Sequence, residues 1–225
     1  MKIIAHVHTD FPTKFGIPRQ SNLVKELKGT IVFEPEYRNP DALYGLDGFS
    51  HIWLLWQFSE NKRSTWSASV RPPRLGGNEY RGVFATRSPF RPNPIGLSSV
   101  KLERIEMDPT LGPVLHILGA DLMDGTPIYD IKPYLPYTDC HTDATGGFTE
   151  VTNAHHLTVE IPESIASVLS SETLSALRGI LAQDPRPAYQ KDPERIYGLE
   201  FAGYEVKFQV DEMNLKVCQI DKIIM

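Results

Sequence analysis

Phe49-Ser50-His51-Ile52-Trp53-Leu54-Leu55-Trp56-Gln57-Phe58 is rich in aromatic and leucine side chains, and its apolar residues fall on both faces of an extended chain. A run of this kind predicts a central strand with neighbours on either side. Working outward, Lys2–His8 and Thr30–Phe33 read as strands before it, and Gly82–Thr86, Gly96–Met107 and Pro113–Leu118 as strands after it, with turn residues at Asp108-Pro109 and Leu111-Gly112. One short helix is predicted from Asn39-Pro40-Asp41, where a capping residue, proline and an acid follow in order, and it ends near Gly45–Gly48. Strands this frequent, with so little helix between them, predict a closed or nearly closed barrel rather than a βαβ sheet.

Beyond the barrel, 138–154 is polar and glycine-containing and reads as a linker. Ile165, Val168, Leu169, Leu174, Leu177, Ile180 and Leu181 then recur at helical spacing, as two short helices or one broken at Ser170-Ser171. Strands over Ile196–Phe201, Tyr204–Val210 and Leu215–Ile224 close the chain, the last two joined at Asp211-Glu212-Met213-Asn214. The fold class expected is therefore mainly β: a β-barrel over 1–137, a linker over 138–154 and a small α+β domain over 155–225.

The 225 residues, 41% apolar, suffice for a core without disulfide or metal staples. No apolar run reaches the roughly 18 residues of a membrane span, and the N-terminus lacks a signal-peptide apolar region, as expected for a cytoplasmic protein. Cys140 and Cys218 match no zinc or redox spacing. His6 with His8 and His155 with His156 lack the third ligand a metal site needs, so no metal is expected. The net charge of −5 is unevenly spread: residues 1–137 carry sixteen basic against fourteen acidic groups, and 138–225 seven against fourteen. Between Glu60 and Pro92 there are seven basic and two acidic residues, six of the seven arginine, a local excess suited to a polyanion if it clusters in space.

That basic stretch holds Arg71-Pro72-Pro73-Arg74-Leu75-Gly76-Gly77-Asn78 and then Phe84-Ala85-Thr86-Arg87-Ser88-Pro89-Phe90-Arg91-Pro92-Asn93-Pro94-Ile95-Gly96. Prolines stiffen such a loop, glycines let a ligand approach the backbone, and arginine forks bind carboxylates and phosphates in paired hydrogen bonds. Arg87 and Arg91 thus mark an anion site; a proline-rich structural connection is the alternative. Arg71, Arg74 and Arg91 are the residues expected to meet the phosphates of such a polyanion, with Arg186 and Tyr189 as a second contact, the tyrosine able to stack on an unpaired nucleic-acid base.

The thirteen residues from Phe84 to Gly96 closely resemble the central motif of the TrmO (TsaA-like) family. Pro18-Arg19-Gln20, Leu46-Asp47-Gly48-Phe49-Ser50-His51, Asp121-Leu122-Met123-Asp124-Gly125-Thr126-Pro127, Asp130-Ile131-Lys132-Pro133-Tyr134 and Gln183-Asp184-Pro185-Arg186-Pro187-Ala188-Tyr189 extend the likeness along nearly the whole chain. The resemblance implies a β-barrel methyltransferase that binds S-adenosyl-L-methionine near a homodimer interface. It further implies methylation of N6 of N6-threonylcarbamoyladenosine at position 37, in the anticodon loop of a threonine tRNA. The sequence has no GxGxxG opening a βαβ unit, in keeping with a cofactor site built from barrel loops.

Carried over residue by residue, the resemblance assigns Pro18, Arg19 and Gln20 to the cofactor site and Arg87 to the cofactor carboxylate. Leu97 would pack near the adenine. Asp121, Leu122, Met123 and Asp124 form a loop whose acids accept hydrogen bonds from ribose hydroxyls or the amino group. Ser59 and Glu60 stand where the family contributes to the pocket but depart from its motif. Asp130 is the carboxylate matched to a base that takes the N6 proton, with Lys132 and Tyr134 orienting it or stabilising charge. Two other readings stay open: a non-catalytic RNA-binding β-barrel, and a hydrolase using Asp130 or Asp184 with a histidine, although no Ser-His-Asp or GxSxG pattern is present.

Overall fold

The computed structural model describes residues 1–61, 65–75, 79–152, 156–186, 190 and 192–224. Its strands are β1 (Ala5–Thr9), β2 (Lys28–Phe33), β3 (His51–Gln57), β4 (Ser69–Val70), β5 (Arg81–Gly82), β6 (Ile95–Asp108), β7 (Gly112–Leu118) and β8 (Thr126–Pro133), followed by β9 (Thr158–Glu160), β10 (Tyr197–Phe201), β11 (Tyr204–Asp211) and β12 (Asn214–Lys222). Six of them close an antiparallel barrel in the order β1-β2-β7-β6-β3-β8, so the expected barrel is present, and β3 lies between β6 and β8 with both edges paired. The inward residues alternate as the pleat requires: Ala5 and Val7, Ile31 and Phe33, Ile52 and Leu54, Val100 and Leu102, Leu115 and Ile117.

Three sequence expectations differ from what is observed. Gly82–Thr86 is not a strand: only Arg81–Gly82 pairs, and Val83–Ala85 then turns as a 3-10 helix. The Arg91 guanidinium donates to the carbonyls of Val83 at 3.1 Å and Thr86 at 2.6 Å, which holds this turn against extension. Asn39 does cap the turn that follows it, its side chain accepting from the Asp41 amide, but Pro40–Leu43 is a 3-10 helix too. β8 was not predicted at all. A bulge in its pairing with β3, between Leu55 and Trp56, lets Ile128 and Ile131 both face inward although they are three residues apart.

In the second half, helices α1 (Pro136–Asp139) and α2 (Thr149–Thr152) interrupt the expected linker. α3 (Glu163–Ala166) and α4 (Ser171–Ala182) follow, with Ser170 capping α4 by accepting the Thr173 amide at 3.1 Å, so the helix breaks where its serines predicted. These helices pack on the sheet β10-β11-β12-β9, whose last pairing is parallel. Its core is not confined to the C-terminal residues. Phe11, Val24 and Leu27, all from the loop after β1, are buried in it, with Phe11 against Phe201 at 5.2 Å. Gly16, with a positive φ of 90°, leaves room for Leu199, which would lie 2.2 Å from an added Cβ. The first loop is therefore fastened to the C-terminal sheet. No helix among the described residues is long and apolar enough to cross a membrane.

Candidate functional site

Strand alternation brings the end of β1, the end of β3 and the beginnings of β6 and β8 to one mouth of the barrel. Four loops converge there and enclose a cavity of about 490 Å3, inside the roughly 300–1,000 Å3 range of small-molecule sites. Pro18, Arg19 and Gln20 line it from the first loop, Ser59 and Glu60 from the exit of β3, Arg87 from the arginine-proline loop, Leu97 from β6, and Asp121, Leu122 and Met123 from the loop before β8. Residues more than a hundred positions apart, Pro18 and Met123 among them, thus share one cavity.

The polar floor is a hydrogen-bond chain. Trp56 donates from its indole nitrogen to Ser98 Oγ at 3.0 Å, and Ser98 donates in turn to Asp121 Oδ1 at 2.7 Å. The indole fits because Gly96, its partner in β6, has no side chain: an added Cβ would lie 2.2 Å from the ring. Burial raises the Asp121 carboxyl above its ordinary range, and the Ser98 hydroxyl and the Arg87 charge offset part of that rise. Arg87 donates to Gln20 Oε1, and Gln20 donates to the Arg19 carbonyl, so the cation at the rim is tied to the first loop. The cavity therefore offers an apolar wall, a guanidinium and an elevated carboxyl.

A raised folded-state value fixes the sign of the pH effect. The stability Asp121 contributes is fully present below its ordinary value of 3.8 and is lost as pH rises through the elevated folded value. Asp121→Asn, which keeps an oxygen for Ser98, is expected to melt higher than the parent at neutral pH and to show less loss between mildly acidic and neutral buffers. Thermal melts across that range check it; identical pH profiles for the two proteins would contradict it.

Other expected site residues lie elsewhere. Asp124 does not line the cavity, because its Oδ1 accepts from the Thr9 amide at 3.1 Å and meets His8 Nδ1 at 3.2 Å. Asp130 and Lys132 form an ion pair of 2.9 Å on β8, and Tyr134 packs on Trp53 at 5.5 Å between ring centroids. None of these three lines the cavity. The register does connect them to it: Asp130 is opposite Leu55, and Leu55 opposite Leu97, so Asp130 lies two strand spacings, roughly 10 Å, from the cavity wall.

The basic residues separate as well. Arg71 is exposed and lies over the Tyr80 ring at 4.5 Å. Arg91 is half-buried in the loop it braces and also lines the cavity, so it faces the small-molecule site instead of an open surface. Arg186 is not available to a phosphate: its side chain is 10% exposed and grips Asp184 through two bonds, of 2.9 and 3.0 Å. Tyr189 and the side chain of Arg74 fall outside the described residues. Among the described residues no cluster of three or more His, Cys, Asp or Glu side chains could hold a metal ion.

Ser98 was not among the residues expected at the site, and Trp56 was expected only as part of the apolar central strand. Ser98 carried a signal: it is polar at an inward position of β6, between Gly96 and Val100, where burial demands a partner.

Comparison with known proteins agrees with this geometry. Residues 6–140 match the family model of the tRNA-methyltransferase O N-terminal domain, and residues 154–223 that of the TrmO C-terminal domain. The chain is 37% identical to the tRNA (adenine(37)-N6)-methyltransferase of Escherichia coli K12, covering 97% of this chain and 96% of the relative. It is 40% identical to a putative S-adenosylmethionine-dependent methyltransferase, RcsF, of Pseudomonas aeruginosa PAO1, covering 94% and 93%. The crystal structure of TrmO from P. aeruginosa superposes with a TM-score of 0.79 at 33% identity, over 98% of this chain and 95% of that one. With both family domains matched in order along one chain, and a cavity walled by the residues of the central motif, the protein belongs to the tRNA-methyltransferase O family.

Proposed function

We propose that this chain is an S-adenosyl-L-methionine-dependent tRNA methyltransferase whose product is N6-methylated N6-threonylcarbamoyladenosine at position 37 of threonine tRNA. The observation that carries the proposal is the cavity at the barrel mouth, which gathers Arg87, Asp121 and Leu97 at one site in a chain matched throughout by the family. The residues present fit the cofactor. A guanidinium at the rim suits an amino-acid carboxylate, a buried acceptor suits ribose hydroxyls or an ammonium, and Leu97 with Leu122 suits an adenine ring. Bound there, the cofactor supplies an electrophilic methyl group.

The protein's own work is chiefly positioning. Arg87 and the first loop hold one end of the cavity, and the Trp56–Ser98–Asp121 chain fixes the polar floor. The N6 nitrogen of threonylcarbamoyladenosine belongs to a urea, whose delocalised lone pair makes it a poor nucleophile. A carboxylate that accepts its proton during attack raises its reactivity. Asp130 serves as that base, on β8 in register with Leu55 and Leu97. Lys132 orients its carboxylate through the 2.9 Å pair, and Tyr134 packs on Trp53 beside them. The half-exposed Trp53 and Leu55 of β3, with Leu97, form the face on which a second subunit docks in a homodimer.

Mass spectrometry of nucleosides from treated tRNA tests the reaction: threonylcarbamoylated threonine tRNA is expected to gain one methyl group, and the same tRNA without the threonylcarbamoyl group to gain none. Equal methylation of both, or of neither, overturns the substrate assignment. For the base, Asp130→Asn is expected to slow single-turnover methylation about 100-fold, the usual contribution of a general base. Near-normal rates across pH would remove Asp130 from the mechanism.

A further inference from the structure

Strands β4 and β5 form a two-residue hairpin base in which Ser69 pairs with Gly82 and Val70 with Arg81. The ladder continues past it, with the Val83 amide donating to the Ala68 carbonyl and the Ser67 amide to the Phe90 carbonyl, each at 3.0 Å. Trp66 and Phe84 flank this base. Their rings lie nearly parallel, 22° apart, with centroids separated by 6.3 Å, toward the wide end of aromatic pairing. They are not core residues: Trp66 is 51% exposed and Phe84 73%.

Water-exposed flat rings this large are costly unless something covers them. Phe84 is also held firmly. Phe84 follows Val83, which is buried, within the 3-10 turn, and the Arg91 guanidinium lies 5.7 Å from its ring while bonded to the carbonyls on either side of it in the chain. Two and three residues on, Thr86 and Arg87 line the cavity. The platform therefore lies at the cavity rim.

We infer that Trp66 and Phe84 form a stacking platform for an unpaired RNA base next to the one being methylated. This rests on the tRNA-methyltransferase reading above. Charge selects the occupant: among the described residues from 65 to 92, Glu79 is the only acid, and it is already paired with Arg81 at 2.7 Å, whereas Arg91 lies 5.7 Å from the Phe84 ring and Arg71 is exposed on the hairpin that the two rings flank. A second copy docked by this patch about a two-fold axis would set arginines against arginines. A ribose-phosphate chain meets both demands at once, with a phosphate for the exposed Arg71 and bases for the rings, and stacking is tolerant of which base arrives.

The test uses the full chain, a threonine tRNA anticodon stem-loop and S-adenosylhomocysteine. Phe84→Ala and Trp66→Ala are each expected to weaken stem-loop binding about tenfold, the effect of losing one stacked base, with cofactor-product affinity unchanged. Phe84→Tyr, which keeps a ring, is expected to restore RNA binding, and Phe84→Leu, which keeps only apolar bulk, is not. Unchanged RNA binding in both alanine variants overturns the inference, as does rescue by leucine equal to that by tyrosine. So does a halving of the molecular mass by light scattering alongside the loss, which would make the patch a contact between copies. Stem-loop binding that needs both rings, with no methyl transfer when S-adenosyl-L-methionine and a threonylcarbamoylated stem-loop are supplied instead, would sink the methyltransferase reading and leave the platform standing.

Discussion

Replacing Gly96 with alanine is expected to cripple cofactor binding while the barrel still folds. The new Cβ would lie 2.2, 2.3 and 2.5 Å from three atoms of the Trp56 indole, far inside any contact real atoms tolerate. The ring has little room to retreat, since Phe58 meets it edge-on at 4.3 Å and its nitrogen is bonded to Ser98. Overpacking of this kind costs about 1–3 kcal/mol of stability. The larger consequence is at the cavity. A displaced indole releases Ser98, and Ser98 is the partner that orients the Asp121 carboxyl. Affinity for S-adenosylhomocysteine, by calorimetry, should fall at least about tenfold, the effect of misplacing a buried polar anchor. Adding Trp56→Phe makes room for the methyl group and should recover melting temperature but not affinity, because phenylalanine cannot donate to Ser98. Parent-like affinity in Gly96→Ala would separate the hydrogen-bond chain from cofactor binding.

Arg87→Ala should weaken S-adenosylhomocysteine binding by about 30- to 100-fold, the loss of a charge-assisted, two-bond contact. Arg87 is exposed at the rim and supports no core packing, so the melting temperature should hardly move. Lysine at the same position should restore only part of the affinity, since a point charge lacks the fork that grips both carboxylate oxygens. The assignment is specific enough to isolate: 5′-methylthioadenosine has no carboxylate, and its binding should be insensitive to the same substitution. If both ligands weaken equally, Arg87 shapes the loop through Gln20 rather than meeting the carboxylate.

Legibility followed the periodicity of each element. β3 and β6 were readable because long apolar or alternating runs have few extended-chain alternatives, and the helix break at Ser170 because a cap is written in local residues. β8 was hidden by its own bulge: with Ile128 and Ile131 three apart, the alternation that betrays a strand is lost. Gly82–Thr86 looked extended by composition, but the force that turns it comes from Arg91, a residue outside the window. The site divides in the same way. Arg87, Leu97 and the 121–123 loop could be carried over from motifs, whereas the link from Trp56 through Ser98 to Asp121 depends on barrel register and on a gap left by Gly96. Arg186 and Asp184, two residues apart, satisfied each other, which a count of basic residues does not reveal. Nor does local pattern disclose that Phe11, Val24 and Leu27 belong to the C-terminal core.

The fastening of the first loop to that core has a functional side, since Pro18, Arg19 and Gln20 form one wall of the cavity while their neighbours are buried under β10 and α4. Whatever loosens the C-terminal sheet should therefore reach the cofactor wall.

The most direct measurement is a crystal structure of the protein grown with S-adenosylhomocysteine. The expected result is ligand density within the barrel-mouth cavity, its carboxylate within hydrogen-bonding distance of the Arg87 guanidinium, its adenine against Leu97 and Leu122, and Asp121 accepting from a ribose hydroxyl or the ammonium group. Density at a different surface, or a ligand in the cavity that touches neither Arg87 nor Asp121, would contradict the account.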